Sequence, residues 1–86
     1  MHTVELLEQA LAAVARAGYQ VREESLGDAV GGACVLRGKK WFFIDPALDL
    51  SDQLELACEV LRTDPQAAVL ALSDELRTRV HGRRAA

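Results

Sequence analysis

Little in this chain of 86 residues points to chemistry. Cysteine is limited to Cys34 and Cys58, in unlike contexts, which excludes the dense disulfide framework that staples small secreted domains; reduced thiols are the expectation. No uncharged apolar run approaches the ~20 residues needed to span a bilayer. The N-terminus carries Glu5 and Glu8 where a secretory signal carries positive charge, so the chain reads as cytoplasmic, with no membrane partner. An excess of cations is missing as well. The formal charge of -3 and pI near 5.3 oppose non-specific attraction to phosphate backbones, which disfavours nucleic acid as a partner. Gly27, Gly31 and Gly32 match neither the P-loop nor the dinucleotide-binding pattern, and no Lys-Ser or Lys-Thr follows them, so they read as turn glycines. His2 and His81 sit near opposite ends of the chain without sequence-local metal partners, and no cofactor is expected.

What is there specifies a fold. Half the residues are hydrophobic and 27% are charged, the balance of a globular chain rather than a disordered one. The length supports one domain over residues 1–82, with 83–86 as a basic tail. The use of Arg over Lys and the abundance of Ala are those of a GC-rich bacterial genome. From Thr3, a candidate N-cap, Val4, Leu7, Leu11 and Val14 recur at helical spacing, and Gly18 suits the left-handed position after the helix. Tyr19 and Val21 alternate with Gln20 and Arg22 as in a strand. Asp45-Pro46 ends the strand before it, and Leu50, Leu54, Ala57, Cys58 and Leu61 form the apolar stripe of a second helix capped by Asp49 or Ser51. Asp64-Pro65 opens a third helix, in which Val69, Leu72, Leu76 and Val80 continue to His81-Gly82.

Between the first and second helices, Gly31 to Pro46 reads as a hairpin. A Gly38-Lys39 turn pairs Leu36 with Trp41, Val35 with Phe42, Cys34 with Phe43 and Ala33 with Ile44. Cys34, Leu36, Trp41 and Phe43 then share one side, and Ala33, Val35, Phe42 and Ile44 the other. The expected architecture is α+β: a helix, a three-stranded antiparallel sheet and two helices, in the order αβββαα. Both sides of the hairpin are apolar, whereas a sheet with one wet face alternates apolar with polar. Either a helix lies on each side, or an apolar patch is left exposed as an interaction site. The expected function is therefore a non-enzymatic interaction or scaffold domain, a homo-oligomer or a subunit of a larger complex. Its candidate interface residues are Leu36, Trp41, Phe42, Phe43 and Ile44.

The glycine loop, the hairpin running to Ile44-Asp45 and the segment Ala57-Cys58-Glu59-Val60-Leu61-Arg62 resemble the ImmA/IrrE-type zinc peptidase (zincin-like) domain over residues 19–62. In that family a helix and a small sheet precede an active-site helix bearing His-Glu-x-x-His, with two zinc-binding histidines and a general-base glutamate. Cys58 stands at the first histidine, Glu59 at the glutamate and Arg62 at the second histidine. Arg62 is a fixed cation with no lone pair to donate, so the resemblance implies a degenerate scaffold kept for binding, without the family's hydrolysis. The alternative to self-association is thus a zincin-like domain with residual metal or peptide binding. Read without the resemblance, Glu59 and Arg62 are an i,i+3 surface pair. Cys34 and Cys58 would meet if the second helix covered the Cys34 side of the hairpin. Arg77, Arg79, His81, Arg83 and Arg84 complement a helix C-terminus and continue into a solvated tail.

Overall fold

The computed structural model describes residues 3–25, 27 and 31–82. His2 and the 83–86 tail lie outside the described residues. Helix α1 (Thr3–Arg16) is followed by strands β1 (Tyr19–Glu23), β2 (Gly32–Leu36) and β3 (Lys39–Ile44), helix α2 (Leu50–Thr63), a 3₁₀ turn (Pro65–Val69) and helix α3 (Asp74–His81). The α+β class holds. Helix α1 buries Leu6, Leu7, Ala10, Ala13 and Val14, so its inward stripe is rotated from the expected one and Val4 is left 48% exposed. The alanines explain the rotation, because small side chains on the inward face let α1 and α2 approach closely. Gly18 follows at φ +103°, in the left-handed region that lets the chain leave α1 and enter β1.

The sheet is mixed and not antiparallel throughout. Its strand order is β1-β3-β2, with β3 antiparallel to β2 and parallel to β1. Composition accounts for the order. Strand β3 carries Trp41, Phe42, Phe43 and Ile44 and takes the centre, where it has a neighbour on each side. Strand β1, with Gln20, Arg22 and Glu23, takes an edge that water can reach. Strands β1 and β2 are therefore not neighbours.

The hairpin turn is Arg37-Gly38 and not Gly38-Lys39. Arg37 has φ 53° and Gly38 φ 79°, the two consecutive left-handed residues of a type I′ turn, whose twist matches that of the flanking strands. The observed partners are therefore Leu36 with Lys39, Val35 with Lys40, Cys34 with Trp41, Ala33 with Phe42 and Gly32 with Phe43. Moving a two-residue turn by one position shifts each partner by two. Side-chain parity is preserved, and Cys34, Leu36, Trp41 and Phe43 still share a side.

Helix α2 starts after Asp49, whose side chain makes no capping bond; Gln53 instead turns back, its Nε2 donating to Leu48 O at 2.8 Å and Pro46 O at 3.4 Å. The expected third helix is divided. Asp64 caps only the 3₁₀ turn, accepting from Gln66 N at 2.8 Å, and Val69 is 85% exposed rather than part of an apolar stripe. Helix α3 begins at a stronger signal. Ser73 Oγ accepts from Leu76 N at 3.2 Å, and Asp74 and Glu75 in the first turn favour the positive end of the helix dipole. The break frees Ala71 O to accept from Arg16 at 3.0 Å and the Ser73 hydroxyl to donate to Gln9 Oε1 at 2.7 Å, tying this segment to α1. Among the described residues no helix is long and apolar enough to cross a membrane.

Candidate functional site

The core takes from the sheet only Phe42 and Ile44, 0% and 1% exposed, with Tyr19 and Val21 packed at its margin. All four lie on the side that faces α1 and α2. The opposite side contributes nothing to that core. The register places Gln20 and Arg22 from β1, Lys39, Trp41 and Phe43 from β3, and Gly32, Cys34 and Leu36 from β2 on this open face.

Its centre is an aromatic pair. Trp41 and Phe43 alternate along β3, and their rings stack with centroids 5.9 Å apart and planes 10° from parallel. The guanidinium carbon of Arg22 sits 5.7 Å from the Trp41 ring centroid, and Arg22 NH2 reaches Glu24 Oε2 at 3.1 Å. Trp41 and Phe43 are of intermediate burial, and Leu36 beside them is 50% exposed. The candidate interface set is thus divided. Leu36, Trp41 and Phe43 come together on the open face, while Phe42 and Ile44 are core residues. Arg22 was not legible as a member, because its place depends on β1 joining β3, which requires a pairing out of chain order.

A second cluster lies on the covered side, at the N-terminal end of β1 and β3. The Tyr19 hydroxyl donates to Asp64 Oδ2 at 2.5 Å, and Lys40 Nζ sits 3.0 Å from the same oxygen. Lys40 also donates to Ala17 O at 2.9 Å and lies 4.5 Å from the Tyr19 ring centroid. Burial raises the Tyr19 hydroxyl to about 12, and the Asp64 carboxylate adds to the rise both as hydrogen-bond partner and as a charge. Asp64 is held below the ordinary carboxyl range, first by Tyr19 and then by Gln66 N and Lys40, against the opposing effect of burial. A tyrosine held protonated is neither a base nor a nucleophile at neutral pH. The group joins the end of α1, β1, β3 and the end of α2. Its members are 24 to 45 residues apart in sequence where α2 is involved, and no local signal announces it.

The residues of the degenerate motif have different surroundings. Cys58 is fully buried; burial pushes its thiol up and Glu55 adds to this, while Arg79 and Arg62 act the other way. Glu59 is exposed beside a cleft bounded by Gly31, Gly32 and Ala33. Arg62 turns toward α3, its Nε donating to Val80 O at 2.6 Å and its NH1 lying 3.8 Å from Glu55 Oε2, so its acidic neighbour is Glu55 and not Glu59. Among the described residues no group of three or more His, Cys, Asp or Glu side chains is placed to hold a metal ion. Cys34 and Cys58, both free thiols, do not meet: Cys34 lies on the open face and Cys58 in the core beneath the other. Exposed His81 ends α3, and Arg77 pairs with Asp74 at 2.6 Å.

Comparison with known proteins adds no assignment: no family model matches the chain, and neither a curated protein nor a solved structure gives a significant match.

Proposed function

We propose that this chain is a small non-enzymatic interaction module of the bacterial cytoplasm that self-associates through its sheet. The observation that carries the reading is the Trp41–Phe43 stack, half-buried on a face that contributes nothing to the protein's own core, with half-exposed Leu36 beside it. Aromatic side chains are costly to leave in water, each burying some 150–250 Å² when covered. A contiguous apolar patch of this kind on a small domain marks a contact surface. The polar groups around it, Arg22, Glu24 and Gln20, form the wet rim that such surfaces have.

Phe43→Glu tests the reading. Its side chain lies outside the core, so far-UV circular dichroism is expected to be unchanged while the self-association constant falls at least tenfold, a loss of about 1.4 kcal/mol or more. Unchanged association of a folded Phe43→Glu protein contradicts the reading.

A further inference from the structure

We infer that the second copy attaches edge to edge, β2 against β2 about a two-fold axis at Cys34, and so extends the sheet from three strands to six. The inference rests on the self-association proposed above and adds its geometry. Strand β2 is an edge strand whose outer side makes no hydrogen bond among the described residues. The residues flanking a two-residue turn form a hydrogen-bonded pair, here Leu36 and Lys39. By alternation Cys34 and Gly32 also bond inward to β3, which leaves the N–H and C=O groups of Ala33 and Val35 directed outward.

The two edges of the sheet differ in how they meet water. Strand β1 carries Arg22 and Glu23, the charges with which natural edges resist pairing. Strand β2 reads Gly-Ala-Cys-Val-Leu, with no charge, no proline and no bulge. Val35 and Leu36, 67% and 50% exposed, stand next to each other on it.

An antiparallel two-fold partner fits this strand. With Cys34 opposite Cys34 of the second copy, the outward groups of Ala33 face those of Val35 across the axis, giving a run of main-chain hydrogen bonds over the whole strand. The same register sets Leu36 of one copy opposite Gly32 of the other. A Cβ built at Gly32 would meet nothing within 4 Å, so the position is a gap in the open face beside Phe43, and the incoming Leu36 fills it. Val35 gains Ala33 of the second copy as cross-strand neighbour. Charge selects the register too. Arg37 and Lys39 at the turn of one copy lie at the opposite end of the joined strands from those of the other, whereas a slip that brings the turns together sets like charges against each other.

Face-to-face stacking of the two sheets fits less well. It would cover Arg22 and Glu24, at a desolvation cost the edge arrangement avoids. The face is also small, only three strands wide. The edge contact is small as well, and the association is accordingly expected in the micromolar range.

The test is a brief diamide pulse on the unmodified protein, alongside native mass measurement of that protein and of Val35→Pro and Cys34→Ser. Opposed residues of a non-hydrogen-bonded pair have Cα atoms about 4.5 Å apart, within the span of a disulfide. Diamide accepts the two electrons and two protons released as two Cys34 thiols join, and the cross-linked fraction is expected to follow the dimer fraction on dilution. Cys34→Ser should abolish the cross-link and keep the dimer. Proline at 35 removes an outward N–H and spares the β2–β3 ladder, so Val35→Pro should be folded and monomeric. A dimer that neither cross-links through Cys34 nor responds to Val35→Pro overturns the edge arrangement and leaves self-association standing. A chain monomeric throughout overturns both.

Discussion

Tyr19 and Asp64, 45 residues apart, share a 2.5 Å hydrogen bond that ties the first strand of the sheet to the segment leaving α2. Asp64 also accepts from Gln66 N and pairs with Lys40, so one carboxylate organises the junction of four elements. Tyr19→Phe removes the hydroxyl while Asp64 keeps its other partners. The expected loss is about 1–2 kcal/mol, seen as a fall in Tm of about 5–10 °C in a domain of this size. Thermal denaturation followed by circular dichroism measures it, and an unchanged Tm would show that the bond adds nothing.

The same junction sets the pH range of stability. Asp64 has its folded carboxyl held below the ordinary 3.8, so its contribution is complete above that value and is lost as pH falls through the folded one. Tyr19 has its hydroxyl raised from 10.0 to about 12, so its contribution is complete below pH 10.0 and is lost as pH rises toward 12. Urea midpoints across pH should therefore fall at both ends. Asp64→Asn is expected to flatten the acid limb, and Tyr19→Phe the alkaline one.

Neighbouring aromatic residues on β3 should respond unequally to truncation. Phe42 is 0% exposed, and Phe42→Ala is expected to cost about 3–5 kcal/mol, enough to leave so small a domain largely unfolded at room temperature. Trp41→Ala, on the open face, is expected to lower stability by no more than about 1–2 kcal/mol. Chemical denaturation of the two variants separates them, and equal losses would contradict the assignment of the faces.

The two thiols should be distinguishable by alkylation. Cys58 is 0% exposed and its thiol is pushed up by burial, so iodoacetamide should reach it only on unfolding, whereas Cys34 labels in the native protein. Intact-mass measurement should give one adduct under native conditions and two in denaturant. Two adducts on the native protein would place Cys58 outside the core.

The sidedness of the hairpin was legible because it depends only on parity. Placing the turn at Gly38-Lys39 rather than Arg37-Gly38 changed every partner yet left Trp41, Phe43, Cys34 and Leu36 on one side. Strand order was not legible. The alternation of β1 says that it is a strand, but its parallel pairing with β3 depends on the path of the connection after Glu23 and on the preference of Trp-Phe-Phe-Ile for the centre. Likewise, the apolar spacing from Val69 to Val80 suits one helix, and the capping bond of Ser73 overrides it locally. Of the site, Leu36, Trp41 and Phe43 were readable as candidates. Arg22 over Trp41 and the Tyr19–Lys40–Asp64 group depend on long-range packing that no spacing encodes.

Sedimentation equilibrium of the unmodified chain over a wide concentration range tests the central claim most directly. A weight-average mass rising from 9.4 kDa toward twice that value at micromolar concentrations is the predicted result. A mass that stays at 9.4 kDa up to the highest concentration reached would contradict it.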